Sequence, residues 1–212
     1  MLRIISGIII SYLVGSIPTA YIFGRLLKGI DIRKFGSGNV GATNALRVLG
    51  KGPGISVLVL DILKGLLVVT FFADILSSAV TGISAETLRI IFGLSCICGH
   101  NWTVFLKFKG GKGIATTFGV LLGLAIKIGG LKVILALSVI TWLVIFFMSR
   151  IVSLSSVITG IALSVYMFAF KQSNTLKFLS IILSIFIILR HKSNLKRILQ
   201  GKESRLTFKK TT

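Results

Sequence analysis

Three glycines in the stretch D-I-R-K-F-G-S-G-N-V-G-A-T-N-A-L-R, residues 31–47, stand in the spacing G-x-G-x-x-G: Gly36, Gly38 and Gly41. Asp61 follows twenty positions after the last of them. In a soluble βαβ unit this pattern holds a dinucleotide, with bare backbone at the pyrophosphate and the acid on a ribose. Such a unit needs a buried strand before Gly36, whereas an apolar helix and a basic linker precede it here. Asp61 lies in a second apolar segment as D-I-L-K-G, where it shares a helix face with Lys64 and pairs with it or with polar groups of the site. The glycines still make sense around an anion. Backbone N–H groups without side chains can turn toward phosphate, Ser37, Asn39, Thr43 and Asn44 add polar groups, and Arg47 supplies a guanidinium fork. A flexible polar loop is the plainer alternative.

The second stretch is G-H-N-W-T-V-F-L-K-F-K-G-G-K-G-I-A-T-T-F-G, residues 99–119. Lys109, Gly110, Gly111, Lys112 and Gly113 combine cations with bare backbone just before a helix start, an arrangement that favours phosphate. It is not a Walker A loop, because Gly113 follows Lys112 where Ser or Thr is needed and Leu106 replaces the first glycine. Trp102, Phe105 and Phe108 read as an interfacial anchor. In the third stretch, R-H-K-S-N-L-K-R-I-L-Q-G-K-E-S-R-L at 190–206, the spacing of His191, Asn194 and Ile198 allows one helical face, with Arg197 three beyond Asn194. An imidazole, an amide and a guanidinium can then point together toward the other two motifs. A basic tail that only binds anionic lipid is the alternative, and it leaves His191 and Asn194 unexplained.

The elements that carry these motifs are apolar. Of 212 residues 54% are hydrophobic and only 14% charged, and the mean hydropathy is +0.95, more apolar surface than a soluble domain of this size can cover. Seven apolar blocks approach the ~20 residues that cross a bilayer: Leu2 to Phe23, Pro53 to Ala73, Thr87 to Leu106, Ile114 to Ile128, Leu131 to Met148, Ile151 to Phe170 and Leu176 to Leu189. The first reads as a retained helix rather than a cleaved signal peptide, since no small-x-small site follows it. Cys96 and Cys98 lie on different faces of the third block and read as small packing residues.

Lys and Arg number 25 against five acids, a formal charge of +20. In a soluble chain that would suggest nucleic acid; in this one it orients loops. Seventeen of the 25 fall in the segments that also hold the three motifs, and Arg150 after the fifth block makes eighteen on one side, so that side is cytosolic, the N-terminus is outside, and the helix count is odd. The fold class is therefore all-α, a polytopic integral membrane protein with seven transmembrane helices and a cytosolic C-terminus, residues 1–212 forming a single membrane domain. The seventh block is the weakest span, about 22 Å long from Thr175. Three phosphate-friendly segments on one face call for a phosphorylated substrate made or consumed beside the membrane. The sequence has no paired carboxylates, no metal-ligand cluster and no G-x-S-x-G elbow, which gives hydrolase and metal chemistry little support.

The stretches GSGNVGATNALR, HNWTVFLKFKGGKGIAT and HKSNLKRILQGKE, in this order and at these separations, resemble the three signature motifs of the bacterial PlsY family, the acyl-phosphate:glycerol-3-phosphate acyltransferases. The resemblance spans nearly the whole chain, including D-I-L-K-G at 61–65 and R-I-V-S-L-S-S at 150–156. It implies an enzyme of the bacterial cytoplasmic membrane, active on the cytosolic face, that moves a fatty acyl group from acyl phosphate to the 1-hydroxyl of sn-glycerol 3-phosphate. The products are lysophosphatidate and phosphate, in the first acylation of phospholipid synthesis. The implied partners are these two substrates, membrane lipid and the enzyme that makes acyl phosphate. The resemblance implies no cofactor, no metal and no nucleic acid.

Matched by motif, Gly36, Ser37, Gly38, Asn39, Gly41, Thr43, Asn44 and Arg47 handle phosphate, Lys109 to Gly113 form the glycerol-phosphate loop, and Ser153 and Arg197 assist in binding. His191 and Asn194 form the catalytic pair, with Ser37 joining the chemistry, and Glu203 is structural. The sequence departs from the pattern slightly at Lys192, Leu195 and Arg205.

A transporter for a phosphorylated metabolite is the competing class, but such folds show internal repeats and a midplane site in broken helices, and the motifs here gather at one face. An adaptor for lipid or nucleic acid needs the charge and not the motifs. Topology is testable directly. A cysteine at position 204 (Ser204→Cys) should react with an impermeant thiol reagent only from the cytosolic side; labelling from outside would overturn the assigned orientation.

Overall fold

Inside a bilayer every backbone N–H and C=O needs a partner within the protein, so apolar segments fold as helices. The computed structural model describes residues 1–77, 80 and 82–206, which contain helices and no strand. The chain divides after Ile128 into two compact units.

In the first unit α1 (Leu2–Ser16) and α2 (Thr19–Lys28) make one apolar run broken at Ile17 and Pro18, where the proline has no N–H to continue the ladder. After a short turn at Ile32–Lys34 come α3 (Ala42–Leu49) and α4 (Lys51–Leu67), which passes through one wide π turn, Val68–Phe72, into α5 (Ala73–Ser77). The unit ends with α6 (Ala85–Asn101), capped by the Ser84 hydroxyl, and α7 (Ile114–Lys127). The second unit holds α8 (Leu131–Ser149), α9 (Val152–Ala169), α10 (Asn174–Arg190) and α11 (Lys192–Leu199).

All seven apolar blocks are helical apart from the break at Ile17–Pro18 and the turn after Asn101. Among the described residues four runs are long and apolar enough to cross a membrane, and α10 joined to α11 across a 61° bend makes a fifth. The shortest of the seven is not the last, as the sequence suggested. The α10 helix starts at Asn174 and reaches Arg190, 17 residues, while α7 is held to 14 between Gly113 and the extended residue Ile128.

Close helix contacts hold the first unit. The α1 and α6 helices pack together, as do α4 and α7. Tyr12 donates its hydroxyl to the Trp102 carbonyl at 2.5 Å and Ser95 to that of Ile8 at 2.8 Å. Cys96 is fully buried among Val68, Ala73, Leu88 and Phe92, the packing role its surroundings suggested. The π turn leaves carbonyls to be satisfied, and the buried Arg89 donates to that of Val69 at 2.6 Å. Asp74 then pairs with both Arg89 and Lys127, three residues that the charge distribution places on the side away from the motifs.

In the second unit polar contacts join helices in place of a hydrophobic drive that lipid does not supply. Ser184 bonds Ser164 at 2.9 Å and the Gly160 carbonyl at 2.6 Å, and Thr141 bonds Tyr166 at 2.7 Å.

The α4–α7 contact depends on glycine. A Cβ at Gly119 would run into the Ile62 carbonyl, whereas one at Gly52, in the first turn of α4, meets nothing within 4 Å. Gly119→Ala should therefore cost about 1–3 kcal/mol and lower the thermal unfolding midpoint in detergent. Gly52→Ala should leave it unchanged or raise it. Equal midpoints for the two variants would contradict this packing.

Candidate active site

The first glycine stretch folds into a tight loop between α2 and α3. Gly36 and Gly38 adopt φ of 58° and 71°, a region that glycine enters without a Cβ penalty. Asn44, 1% exposed, organises the loop from inside. Its amide donates to the carbonyls of Ile32 at 3.3 Å and Phe35 at 3.1 Å, and its oxygen accepts the Ser37 N–H at 2.9 Å. Asn44 thus spends its side chain on shaping the loop. Gly41 starts α3, its carbonyl accepting from Asn44 and Ala45, and the Asn39 oxygen lies beside it. Ser37 and Arg47 are exposed, and Gly38, Asn39 and Thr43 are half-buried. Arg47 lies in the last turn of α3, and no carboxylate among the described residues pairs with it. Nearby, hydrogen bonds from Arg33 hold the Asp31 carboxyl down at about 2.

The second loop shares a core with the first, since Leu106 is buried with Ile32, Val40, Ala45 and Leu49. The chain leaves α6 at Trp102, takes a short turn at Val104–Leu106, and returns to lie on the end of α6. A helix end leaves carbonyls without partners, and here the Gly111 N–H reaches the His100 carbonyl at 2.9 Å. A Cβ on Gly110 would strike the carbonyls of His100 and Asn101, and one on Gly111 the His100 Nε2 atom. Lys109 is exposed and Lys112 half-buried. Gly113, at φ 77°, is the residue from which α7 starts. A helix start beside two lysines presents N–H groups and positive charge together.

The third motif lies in the second unit, at the bend between α10 and α11. His191 is 3% exposed, and its Nδ1 lies 2.8 Å from the Ile187 carbonyl. A carbonyl only accepts, so Nδ1 carries a proton, and in the neutral ring the lone pair is then on Nε2. Glu203 gathers the neighbouring side chains. Oε1 accepts from Asn194 at 2.5 Å and from Ser153 at 2.7 Å, and Oε2 accepts from Arg197 at 2.7 Å. Burial pushes the Glu203 carboxyl up; hydrogen bonds from Asn194, Ser153 and Arg197 outweigh it and hold the group below the usual glutamate value. The Leu206 N–H bonds the Arg150 carbonyl at 2.8 Å, tying the segment after Glu203 to the start of α9. The structural role implied for Glu203 thus has a geometry, and Ser153, Asn194 and Arg197 share one partner.

Two residues of the quoted stretches received no role from sequence. His100 is 7% exposed, and its Nδ1 lies 2.8 Å from the Lys64 Nζ. Asn101 is 1% exposed, and its amide has no hydrogen-bond partner among the described residues. The available signal was a pair of polar residues ending an apolar block immediately before a glycine-rich loop. Among the described residues no group of three or more His, Cys, Asp or Glu is placed to hold a metal ion.

The profile of the glycerol-3-phosphate acyltransferase family matches residues 5–201. The glycerol-3-phosphate acyltransferase of Chlorobium phaeobacteroides strain BS1 is 40% identical over 237 aligned positions that take in 98% of this chain and 98% of that protein. That of Synechococcus sp. strain CC9902 is 42% identical, over 93% of this chain and 92% of its own. Among solved structures the chain resembles PlsY (YgiH), an integral membrane glycerol 3-phosphate acyltransferase. The glycerol 3-phosphate form is 37% identical with a TM-score of 0.83 over 96% of each chain. The lysophosphatidic acid form is 36% identical with a TM-score of 0.80 over 96% of this chain and 95% of that one. From sequence and fold together, this chain belongs to the glycerol-3-phosphate acyltransferase family.

Proposed function

We propose that the protein is an acyl-phosphate-dependent glycerol-3-phosphate 1-O-acyltransferase, a single seven-span membrane domain of the bacterial cytoplasmic membrane with its N-terminus outside and its motifs at the cytosolic face. In this topology α6 and α7 also cross the bilayer. The α7 helix, about 21 Å long at the helical rise, does so through local thinning and with Lys127 extended toward headgroups. Related structures in a glycerol 3-phosphate form and a lysophosphatidic acid form support an acyl acceptor and a product that differ by one acyl group.

The reaction needs little activation, because acyl phosphate is a mixed anhydride. The 1-hydroxyl oxygen attacks the acyl carbonyl carbon, an ester C–O bond forms, and the C–O bond to phosphate breaks, with the electron pair leaving on phosphate. The first unit's loops hold the phosphates: the Arg47 guanidinium, Lys109, Lys112, the backbone at 36–41 and 110–113, and the Ser37 hydroxyl, which donates to the leaving group as charge develops on it. In the second unit the His191 Nε2 takes the hydroxyl proton. Asn194, Ser153 and Arg197 contribute from the second unit, braced by Glu203. The observation that carries this reading is the proton on His191 Nδ1, set by the Ile187 carbonyl.

Purified protein in detergent should release one phosphate for each lysophosphatidate formed from acyl phosphate and glycerol 3-phosphate, with no turnover from acyl-CoA. Folded His191→Ala and Ser37→Ala variants should lose kcat by roughly 10² or more. Arg47→Lys keeps the charge but not the fork and should also be damaging. Full-rate turnover by His191→Ala and Ser37→Ala would place the chemistry on other residues. Turnover from acyl-CoA at a comparable rate would overturn the assigned donor.

A further inference from the structure

A chain of polar side chains runs through the apolar interior of the first unit and ends under the glycine-rich loop. Thr19 of α2 donates its hydroxyl to Asp61 Oδ1 of α4 at 2.8 Å. The same oxygen lies 2.8 Å from Lys64 Nζ. That nitrogen is also 2.8 Å from His100 Nδ1 at the end of α6 and donates to the Ile17 carbonyl at 3.4 Å. Asp61 is 1%, Lys64 8% and His100 7% exposed. Buried charges persist only when paired and hydrogen-bonded, and the three donors of the Lys64 ammonium have three acceptors here: the Asp61 carboxylate, the Ile17 carbonyl and the His100 ring.

The chemistry of this chain fixes the imidazole. An ammonium has no lone pair, so in the Lys64–His100 contact the lysine donates and Nδ1 accepts. The ring proton is then on Nε2, the opposite of His191. That edge of the ring meets Gly111, where an added Cβ would lie on Nε2, within 2.9 Å of the Cε1 carbon and 3.0 Å of the Cδ2 carbon. Gly111 thus faces one residue on two sides, its N–H bonded to the His100 carbonyl at 2.9 Å and the space a side chain would need taken by the His100 ring.

We propose that Thr19, Asp61, Lys64 and His100 form a positioning relay, in which Lys64 locks His100 with its proton on Nε2 and the locked ring sets the conformation in which loop 109–113 receives glycerol 3-phosphate. The substrate assignment rests on the function proposed above. His100 is on this account a positioning residue. It acts on the acceptor's binding through Gly111, and loss of its Nε2–H raises KM for glycerol 3-phosphate more than it lowers kcat.

Two measurements test this, and the first does not depend on activity. The chain has two histidines, so protein labelled with [15N]histidine gives two ring spectra, assigned with His191→Ala. At neutral pH His100 should show a proton on Nε2 and a bare Nδ1, and His191 the reverse. A proton on Nδ1 of His100, or on both of its nitrogens, would overturn the relay. In the second, His100→Gln puts an amide near the place of Nε2, and His100→Asn puts one near Nδ1 only. His100→Asn should raise KM for glycerol 3-phosphate about tenfold, with kcat changed less than about threefold, and His100→Gln should recover most of the loss. Equal KM values for the two variants, or a loss confined to kcat, would contradict the positioning role. Failure of the wild-type protein to acylate glycerol 3-phosphate would count against the proposed reaction instead, while the ring spectra still decide the relay.

Discussion

A helix that ends within an apolar bundle leaves its last carbonyls without partners, and the first unit is organised around how α6 meets that demand. The chain turns back after Trp102 and lies across the helix end, where Gly111 donates to the His100 carbonyl. Only a backbone without side chains fits there, since a Cβ at Gly110 or Gly111 would strike His100 or Asn101. The loop is therefore pressed against a rigid helix rather than hung in water. A rigid support is what pre-organises N–H groups and lysines for an anion, because the ordering is complete before the ligand arrives. Leu106 buries the same loop in the core that carries Ile32, Val40 and Ala45, so the two glycine stretches share one support.

The second unit solves a different problem. Its polar side chains are gathered by a single carboxylate. Glu203 accepts from Ser153, Asn194 and Arg197, which come from α9 and α11, while His191 is oriented separately by the Ile187 carbonyl at the end of α10. A 61° bend separates α10, which carries the Ile187 carbonyl, from α11, which carries Asn194 and Arg197. The proposed phosphate holding in the first unit and proton handling in the second rest on unlike means, a backbone cradle and a side-chain network.

Much of this was legible in the sequence, because membrane helices and phosphate loops both announce themselves through composition. The apolar blocks are helical apart from the break at Ile17–Pro18 and the turn after Asn101, the G-x-G-x-x-G stretch became a loop and not a Rossmann turn, and Asp61 does pair with Lys64. The misread features were those that depend on backbone detail. The π turn at Val68–Phe72 and the break at Pro18 leave no hydropathy signal, and the shortest of the apolar helices proved to be α7 because Gly113 and Ile128 bound it. Asn44 was grouped with the groups that receive phosphate; its amide proved to organise the loop, since a polar side chain aimed inward looks the same in sequence as one aimed outward. His100 went unassigned because its partner Lys64 lies 36 positions away, a pairing that only the packing of α4 against α6 brings about.

The central claim is a division of labour: the first unit binds the phosphate of the acceptor and the second handles its proton. Equilibrium binding of glycerol 3-phosphate, measured by titration calorimetry without acyl donor, tests it most directly. His191→Ala should bind within about threefold of wild type although it cannot turn over, and Arg47→Ala should bind about tenfold or more weakly through the loss of its charged fork. Weakened binding in His191→Ala together with unchanged binding in Arg47→Ala would contradict the account.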